Sequence, residues 1–209
     1  MTLIFDFDGT IVRSKRMCFL AFNRALKKHG YQLSKKKIMA SFGPPAEGVI
    51  KNLLGIRNRK LIRAITDEVA QYKQTKGINQ MFLKEKPHFF KKLSEQHDLI
   101  LRTNADKDST YRFLQKHNIF SVWREIVTPK DPQGKNKVLT LKYFKKKYDS
   151  PFIYVGDMST DILAARKAKM PVIAISGWES MNLLKKFKPD FLIRRLSSIR
   201  RIIKNNFNE

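Results

Sequence analysis

Three groups of polar residues in this 209-residue chain each follow a short apolar run. They are residues 6–10 (Asp-Phe-Asp-Gly-Thr), 103–104 (Thr-Asn) and 156–161 (Gly-Asp-Met-Ser-Thr-Asp). In an open parallel sheet, ligands bind where the strands end at their carboxyl side. We therefore expect these groups, which are far apart in the chain, to meet at one site.

The first group contains the residue types for attack on a phosphate ester. Asp6 and Asp8 are two residues apart, so both carboxylates project to the same side while the backbone is extended. One carboxylate can form an aspartyl-phosphate, and the other can protonate the leaving oxygen and later activate water. Two carboxylates repel a phosphate dianion, so the site needs a hard cation, and Asp157 completes an oxygen-rich shell for it. The sequence thus predicts Mg²⁺ as the cofactor.

The residues beside these acids can bind the phosphate. Gly9 lets the backbone approach it, and the N–H groups of the turn that includes Thr10 can bind its oxygens. Thr103 adds a hydroxyl donor, and Asn104 adds an amide. These four residues are the predicted phosphate-binding groups, and Thr103 is also counted as catalytic.

A lysine that begins the helix after Gly134 would neutralise the nucleophile and the phosphate together. We take Lys135 as the first choice and Lys137 as the alternative. Asp161 holds metal-bound water, orients that lysine, or is simply the N-cap of its own helix.

Apolar runs that predict strands alternate with helical patterns over most of the chain. The strands are predicted at residues 2–7, 98–102, 125–127, 152–155, 171–175 and 191–193. The alternation predicts an α/β fold with a Rossmann-like parallel sheet and helices on both faces. Residues 14–83 show helical patterns and no convincing strand, so we expect an inserted helical cap there and a core formed by residues 1–13 and 84–209.

The composition is strongly basic. Lys and Arg number 43 against 18 Asp and Glu, which gives a net charge of +25. Such a charge attracts anions, whether phosphorylated metabolites or nucleic acid. The lysines form short runs along the whole chain, which is typical of solvated helix faces. The single cysteine, Cys18, suits a reducing compartment, and the chain shows neither a secretory signal nor an apolar run long enough for a bilayer. We expect a cytoplasmic protein with no membrane partner.

The motifs resemble those of the haloacid-dehalogenase-like (HAD) phosphohydrolases. Residues 6–12 (Asp-Phe-Asp-Gly-Thr-Ile-Val) match the first motif of that family, and Leu-Arg-Thr103-Asn matches the second. The region of Lys135 stands for the third, without the usual Lys-Pro-x-Pro, and Gly-Asp157-x-x-x-Asp161 matches the fourth. The stretch from Tyr154 through the fourth motif is similar to the phosphoglycolate-phosphatase-like branch, whose helical cap has the place and length of residues 14–83.

The resemblance implies a role for each acid. Asp6 would be the nucleophile and Asp8 the acid/base; Asp6, Asp157 and the backbone carbonyl of Asp8 would bind magnesium, with Asp161 nearby. The substrate implied is a small phosphorylated metabolite.

Two alternatives stay open at this point. A phosphomutase keeps both acids of the first motif. The charge of +25 also suggests a polynucleotide 3′-phosphatase or a nucleic-acid-binding protein. A cap of about 70 residues that closes over the site would tend to exclude a long chain, so nucleic acid is the less favoured partner.

Overall fold

The computed structural model describes residues 1–207 and contains one parallel sheet of six strands together with one short antiparallel ribbon. The strands are β1 (Thr2–Phe5), β2 (Val12–Arg13), β3 (Phe82–Leu83), β4 (Asp98–Arg102), β5 (Trp123–Val127), β6 (Phe152–Gly156), β7 (Val172–Ile175) and β8 (Phe191–Ile193). The order in the large sheet is β5-β4-β1-β6-β7-β8, and all its neighbours are parallel. The predicted α/β Rossmann-like core is confirmed.

Ten helices accompany the strands within the described residues. They are α1 (Lys15–Lys28), α2 (Lys35–Ala40), α3 (Ala46–Leu54), α4 (Arg59–Gln74), α5 (Pro87–Ser94), α6 (Lys107–Lys116), α7 (Lys137–Lys147), α8 (Ser159–Lys167), α9 (Met181–Lys186) and α10 (Ile199–Asn206). Three 3₁₀ turns are found at Gly77–Gln80, Pro132–Lys135 and Leu196–Ser198. No described helix combines the length and the apolar character that crossing a membrane requires.

The central strand β1 is apolar on both sides because helices cover both faces of the sheet. Leu3 and Phe5 face one apolar cluster, which also includes residues of α5, α6 and α10. Ile4 faces the other cluster, with residues of α7, α8 and α9. All four residues of β1 are fully buried, so its end is fixed within the sheet. This fixed end is where Asp6 begins.

Helices α1–α4 form a separate block in the chain between β2 and β3. Apolar side chains at helical spacing bury one face of each long helix, for example Phe22 and Leu26 in α1 and Ile65 and Val69 in α4. The sequence predicted no strand within residues 14–83, but Phe82–Leu83 pairs antiparallel with Val12–Arg13. A pair of two-residue strands has too few residues to show an alternating pattern, and the pairing joins segments 70 positions apart.

Candidate active site

The ends of three neighbouring strands bring the predicted polar groups together. β1 lies between β4 and β6, and Phe5 is in register with both Leu101 and Val155. The residues that follow these strands therefore share one edge of the sheet. The Asp6 N–H donates to the carbonyl of Val155 at 2.9 Å, which holds the start of the first motif against β6.

Three carboxylates form the centre of the site. Each of Asp6, Asp157 and Asp161 offers one oxygen, and these oxygens all lie within 4.8 Å of one another. Their exposed fractions are 9%, 0% and 1%. Three acids this close and this buried repel one another strongly unless positive charge accompanies them.

Asp157 is held by residues on either side of it. The hydroxyl of Thr10 donates to its Oδ1 at 3.0 Å, and the backbone N–H of Trp178 donates to its Oδ2 at 2.6 Å. Gly9 has a φ of +81°, and a Cβ there would lie 2.1 Å from Asp157 Oδ2. A Cβ at Gly177 would lie 2.3 Å from the same oxygen. The acid is thus enclosed by two positions that only glycine can occupy.

The lysine that contacts the nucleophile candidate is Lys137. Its Nζ lies 3.5 Å from Asp6 Oδ1 and forms a closer ion pair with Asp161. Lys135, our first choice, is exposed at the end of a 3₁₀ turn and lines the cavity without an ion pair to Asp6 among residues 1–207. Asn136 is the N-cap of α7, so the chain turns there and directs the first helical residue towards the site.

Asp161 has both carboxylate oxygens engaged. Oδ2 accepts from the N–H groups of Asp157 at 3.1 Å and Met158 at 2.9 Å, while Oδ1 accepts from Lys137 and from the Tyr154 hydroxyl at 3.0 Å. Asp161 is therefore not the N-cap of α8, which is Met158; it is the third residue of the helix, and its side chain caps the first turn and pairs with Lys137. Its role near the metal stays a prediction.

The other predicted binding groups have partners that were not anticipated. The Gly9 N–H donates to Val12 O at 2.8 Å and that of Thr10 to Phe7 O at 3.3 Å, so these groups close the turn and are not free for a phosphate. The Asn104 side-chain amide donates to Gly43 O at 2.6 Å, which ties the block of α1–α4 to the core.

Thr103 keeps the predicted position. It is 1% exposed and lines the cavity, and its Oγ1 accepts from the N–H of Ala105 at 2.9 Å. The hydroxyl proton is therefore directed elsewhere and is available to a bound anion.

A cavity of about 890 Å³ opens beside Asp6, with walls from the core and from the helical block. Asp8 is half-buried in its wall, 4.0 Å from the Cys18 thiol. Phe42, in the loop between α2 and α3, packs edge-on against Trp178 with ring centroids 4.7 Å apart. This contact and the hydrogen bond from Asn104 are two points at which the block touches the core beside the cavity.

Burial dominates the proton affinities of the acids. It raises the pKa of Asp6 to about 7, although the charge of Lys137 acts in the opposite direction. Burial and the neighbouring charge of Asp161 also raise the pKa of Asp157 well above its ordinary value. The protein alone therefore leaves the cluster short of positive charge. Clustered carboxylate oxygens with this deficit fit a hard divalent cation such as Mg²⁺.

Sequence reasoning missed two buried polar residues of the site. Arg102, at the end of β4, is 1% exposed and donates from Nη2 to Gly134 O at 3.2 Å, and its charge acts to lower the pKa of Asp6. Lys73 of α4 is 8% exposed and lines the cavity. Arg102 follows an apolar strand, and Lys73 continues the apolar face of a helix. A single cation at such a position is a sequence signal that could have identified both residues as buried.

The raised pKa of Asp6 predicts how the metal-free protein responds to pH. In chelator, folded Asp6 keeps its proton up to about pH 7, whereas the unfolded chain releases it near the ordinary value of 3.8. Between these values the folded state binds more protons, so the free energy of unfolding falls as pH rises, by at most about 1.4 kcal/mol per pH unit for each proton. Urea denaturation across this range should show the fall.

Two variants separate Asp6 from the other titrating groups. Asp6→Asn should reduce the pH dependence and leave the part that comes from Asp157, and Asp149→Asn, the same change at an exposed acid, should leave it as in the wild type. Adding Mg²⁺ at neutral pH should raise the melting temperature of the wild type more than that of Asp6→Asn. An unchanged slope in Asp6→Asn would show that Asp6 titrates normally.

Comparison with known proteins shows which family the chain belongs to. The family model described as Haloacid dehalogenase-like hydrolase matches residues 3–175. Pyrophosphatase PpaX of Oceanobacillus iheyensis is 21% identical over 216 residues, covering 99% of this chain and 98% of that protein. A relative from Caldanaerobacter subterraneus subsp. tengcongensis with the same PpaX name is 24% identical over 214 residues, covering 97% and 94%.

A solved structure has the same fold. The crystal structure of a predicted phosphoglycolate phosphatase from Haemophilus somnus superposes with a TM-score of 0.84 at 22% identity, covering 96% of each chain. At this identity it shows the shared fold. The family match spans most of the chain, including both motifs that contain Asp6 and Asp157. The chain belongs to the haloacid dehalogenase-like hydrolases.

Proposed function

We propose that this protein is a magnesium-dependent phosphatase that hydrolyses a small phosphorylated compound through an aspartyl-phosphate on Asp6. One observation carries the proposal. Asp6 lies at a buried strand end, where its Oδ1 is 3.5 Å from Lys137 Nζ. One of its carboxylate oxygens lies within 4.8 Å of one from Asp157, and both Asp6 and Asp8 line the same cavity.

The carboxylates of Asp6 and Asp157 would hold the magnesium ion, together with the backbone carbonyl of Asp8 that the family resemblance implies. When bound, the ion supplies positive charge that offsets the acids and the phosphate dianion. Thr10 and the Trp178 N–H keep Asp157 in place. Lys137 supplies the second positive charge. Burial acts to lower its pKa, but the charges of Asp161 and Asp6 outweigh burial and keep the lysine protonated.

In the first half-reaction an Asp6 carboxylate oxygen attacks phosphorus, and the bond from phosphorus to the leaving oxygen breaks. Asp8 donates its proton to that oxygen, so the leaving group departs as an alcohol or an acid. Thr103 donates its free hydroxyl hydrogen to a phosphoryl oxygen.

In the second half-reaction water attacks the phosphorus of the aspartyl-phosphate. Asp8, now a carboxylate, accepts the water proton, and the bond from the Asp6 carboxyl oxygen to phosphorus breaks. Inorganic phosphate leaves, and both acids return to their starting states.

The block of α1–α4 acts in this proposal as a cap that limits the substrate to small molecules. Its loop at residues 41–45 contacts the core through the Phe42–Trp178 ring pair and the Asn104–Gly43 hydrogen bond. A closed cap excludes water and bulky substrates. This geometry disfavours a polynucleotide end, although the charge of +25 would attract one.

The relatives suggest which small compounds to test. Two curated relatives are named as pyrophosphatases, and one solved neighbour is named as a predicted phosphoglycolate phosphatase. Pyrophosphate and phosphoglycolate each fit the two half-reactions, with phosphate or glycolate as the leaving group.

Phosphate release from a panel of phosphorylated metabolites, pyrophosphate and an aryl phosphate tests the proposal. We expect magnesium-dependent turnover that chelator abolishes. Asp6→Asn should lower kcat by at least about 1,000-fold, because removal of a covalent nucleophile leaves only binding and electrostatic effects. Release of phosphate independent of Asp6, or none from any compound, would contradict a phosphatase. Transfer between sugar phosphates with little free phosphate would identify a phosphomutase instead.

The choice of lysine is tested by a matched pair of variants. Lys137→Met removes the charge beside Asp6 and should lower kcat by about 100-fold or more. Lys135→Met removes an exposed charge at the cavity wall and should change kcat by no more than about threefold, as expected for a screened charge. Steady-state kinetics with the best substrate of the panel decide the matter. The reverse order of effects would return the catalytic role to Lys135.

A further inference from the structure

Lys73 is a cation in an apolar position. The buried face of α4 consists of Ile62, Ile65, Val69 and Lys73, so the lysine continues an apolar stripe. At 8% exposure it is the one lysine within residues 1–207 that is buried. Burial of an ammonium group is costly unless an anion accompanies it, so this position needs an explanation.

The protein supplies only part of the compensating charge. Lys73 forms no ion pair within 4.0 Å to any carboxylate of the described residues. Asp106 interacts with it at longer range, but its Oδ2 already accepts from Gln74 Nε2 at 3.1 Å and from the Ser109 N–H at 3.2 Å. Its immediate neighbour is the thiol of Cys18, and burial raises the pKa of that thiol to about 12, so it is neutral at physiological pH.

The ammonium group nevertheless stays charged. Burial acts to lower the pKa of Lys73, but the hydrogen bond with the neutral Cys18 thiol and the carboxylates of Asp8 and Asp106 act in the opposite direction, and the pKa is raised. The cavity that contains Asp6 and Asp8 also has Lys73 in its lining. A charged, incompletely paired lysine in that wall can be neutralised by an anion inside the cavity.

The position of Lys73 relative to the two catalytic acids indicates which part of a substrate it meets. Lys137 lies against Asp6, where the transferred phosphoryl group must be. Cys18 lies 4.0 Å from Asp8, and Lys73 lies next to Cys18. Asp8 protonates the leaving oxygen in the proposed mechanism, so Lys73 is on the leaving-group side of the site.

We propose that Lys73 binds an anionic group carried by the leaving group of the substrate. The substrate class is then a compact compound with a phosphoryl group at one end and a second anion, phosphate or carboxylate, at the other. This inference rests on the proposed phosphatase function and adds specificity to it. Lys73 acts as a specificity-determining residue of the helical block.

The test compares substrates that differ in the second anion. Pyrophosphate and phosphoglycolate contain it, and ethyl phosphate is a compact ester without it. Lys73→Met should lower kcat/KM for the preferred anionic substrate by about 30-fold or more, as for loss of a charge-assisted hydrogen bond, and that for ethyl phosphate by no more than about threefold. Lys73→Arg should retain most of the preference. Lys76→Met, the same change at an exposed lysine near the end of the same helix, should behave as the wild type.

Two kinetic outcomes overturn the inference. Equal losses on anionic and neutral substrates would mean that Lys73 acts through Asp8 or through the packing of α4. No loss on any substrate would mean that Lys73 does not contact the substrate. Failure of the wild-type protein to hydrolyse even ethyl phosphate and an aryl phosphate would instead count against the proposed phosphatase function.

A binding measurement decides the inference without turnover. In the Asp6→Asn background with Mg²⁺, calorimetry compares methylenediphosphonate and phosphonoacetate with methylphosphonate, which lacks the second anion. We expect Lys73→Met to lower the affinity for methylenediphosphonate or for phosphonoacetate by about 10-fold or more. The affinity for methylphosphonate should stay unchanged. The ligand that is affected shows whether the second anion is phosphate or carboxylate. Equal affinities with and without Lys73 in a variant that melts as a folded protein would overturn the inference.

Discussion

Three buried carboxylates, those of Asp6, Asp157 and Asp161, crowd together at the end of β1, and the groups around them hold these acids and offset their charge. Asp6, Asp157 and Asp161 lie within one small buried volume, where burial raises the pKa of Asp6 to about 7. A nucleophilic carboxylate must be ionised, so this arrangement functions only with compensating positive charge. Lys137 supplies part of it, and a divalent cation fits the remainder. The cavity also contains a buried cation, Lys73, which has no ion pair with a carboxylate of residues 1–207.

The fold provides this concentration because parallel strands end together. The position of the acids at strand ends and the α/β core could be predicted from the sequence, since apolar runs followed by short polar groups determine both. The predicted meeting of Asp6, Thr103 and Asp157 at one edge of the sheet follows from the in-register pairing of β1 with its two neighbours. Family membership could also be anticipated, because the first and fourth motifs are contiguous in the chain and keep their spacing.

Roles set by tertiary contacts could not be predicted. The sequence favoured Lys135, but the direction in which α7 begins, set by its N-cap, places Lys137 against Asp6. Asn104 looked like a phosphate ligand, yet its amide reaches a carbonyl 61 positions away. Lys73 interrupts the apolar face of α4, which is a local signal, but a single sequence does not show that this face meets the cavity. In each case the deciding partner is far away in the chain, where local patterns carry no information.

The proposed mechanism requires that Asp6 becomes phosphorylated during turnover. The most direct measurement is a rapid quench of the wild-type protein during hydrolysis of its best substrate, followed by borohydride reduction of any acyl phosphate and peptide mass spectrometry. We expect that Asp6 is converted to homoserine, that Asp8 is unmodified, and that the modification disappears when substrate or magnesium is withheld. Reduction at Asp8, or an unmodified Asp6 under conditions of sustained turnover with a trapped control acyl phosphate, would contradict it.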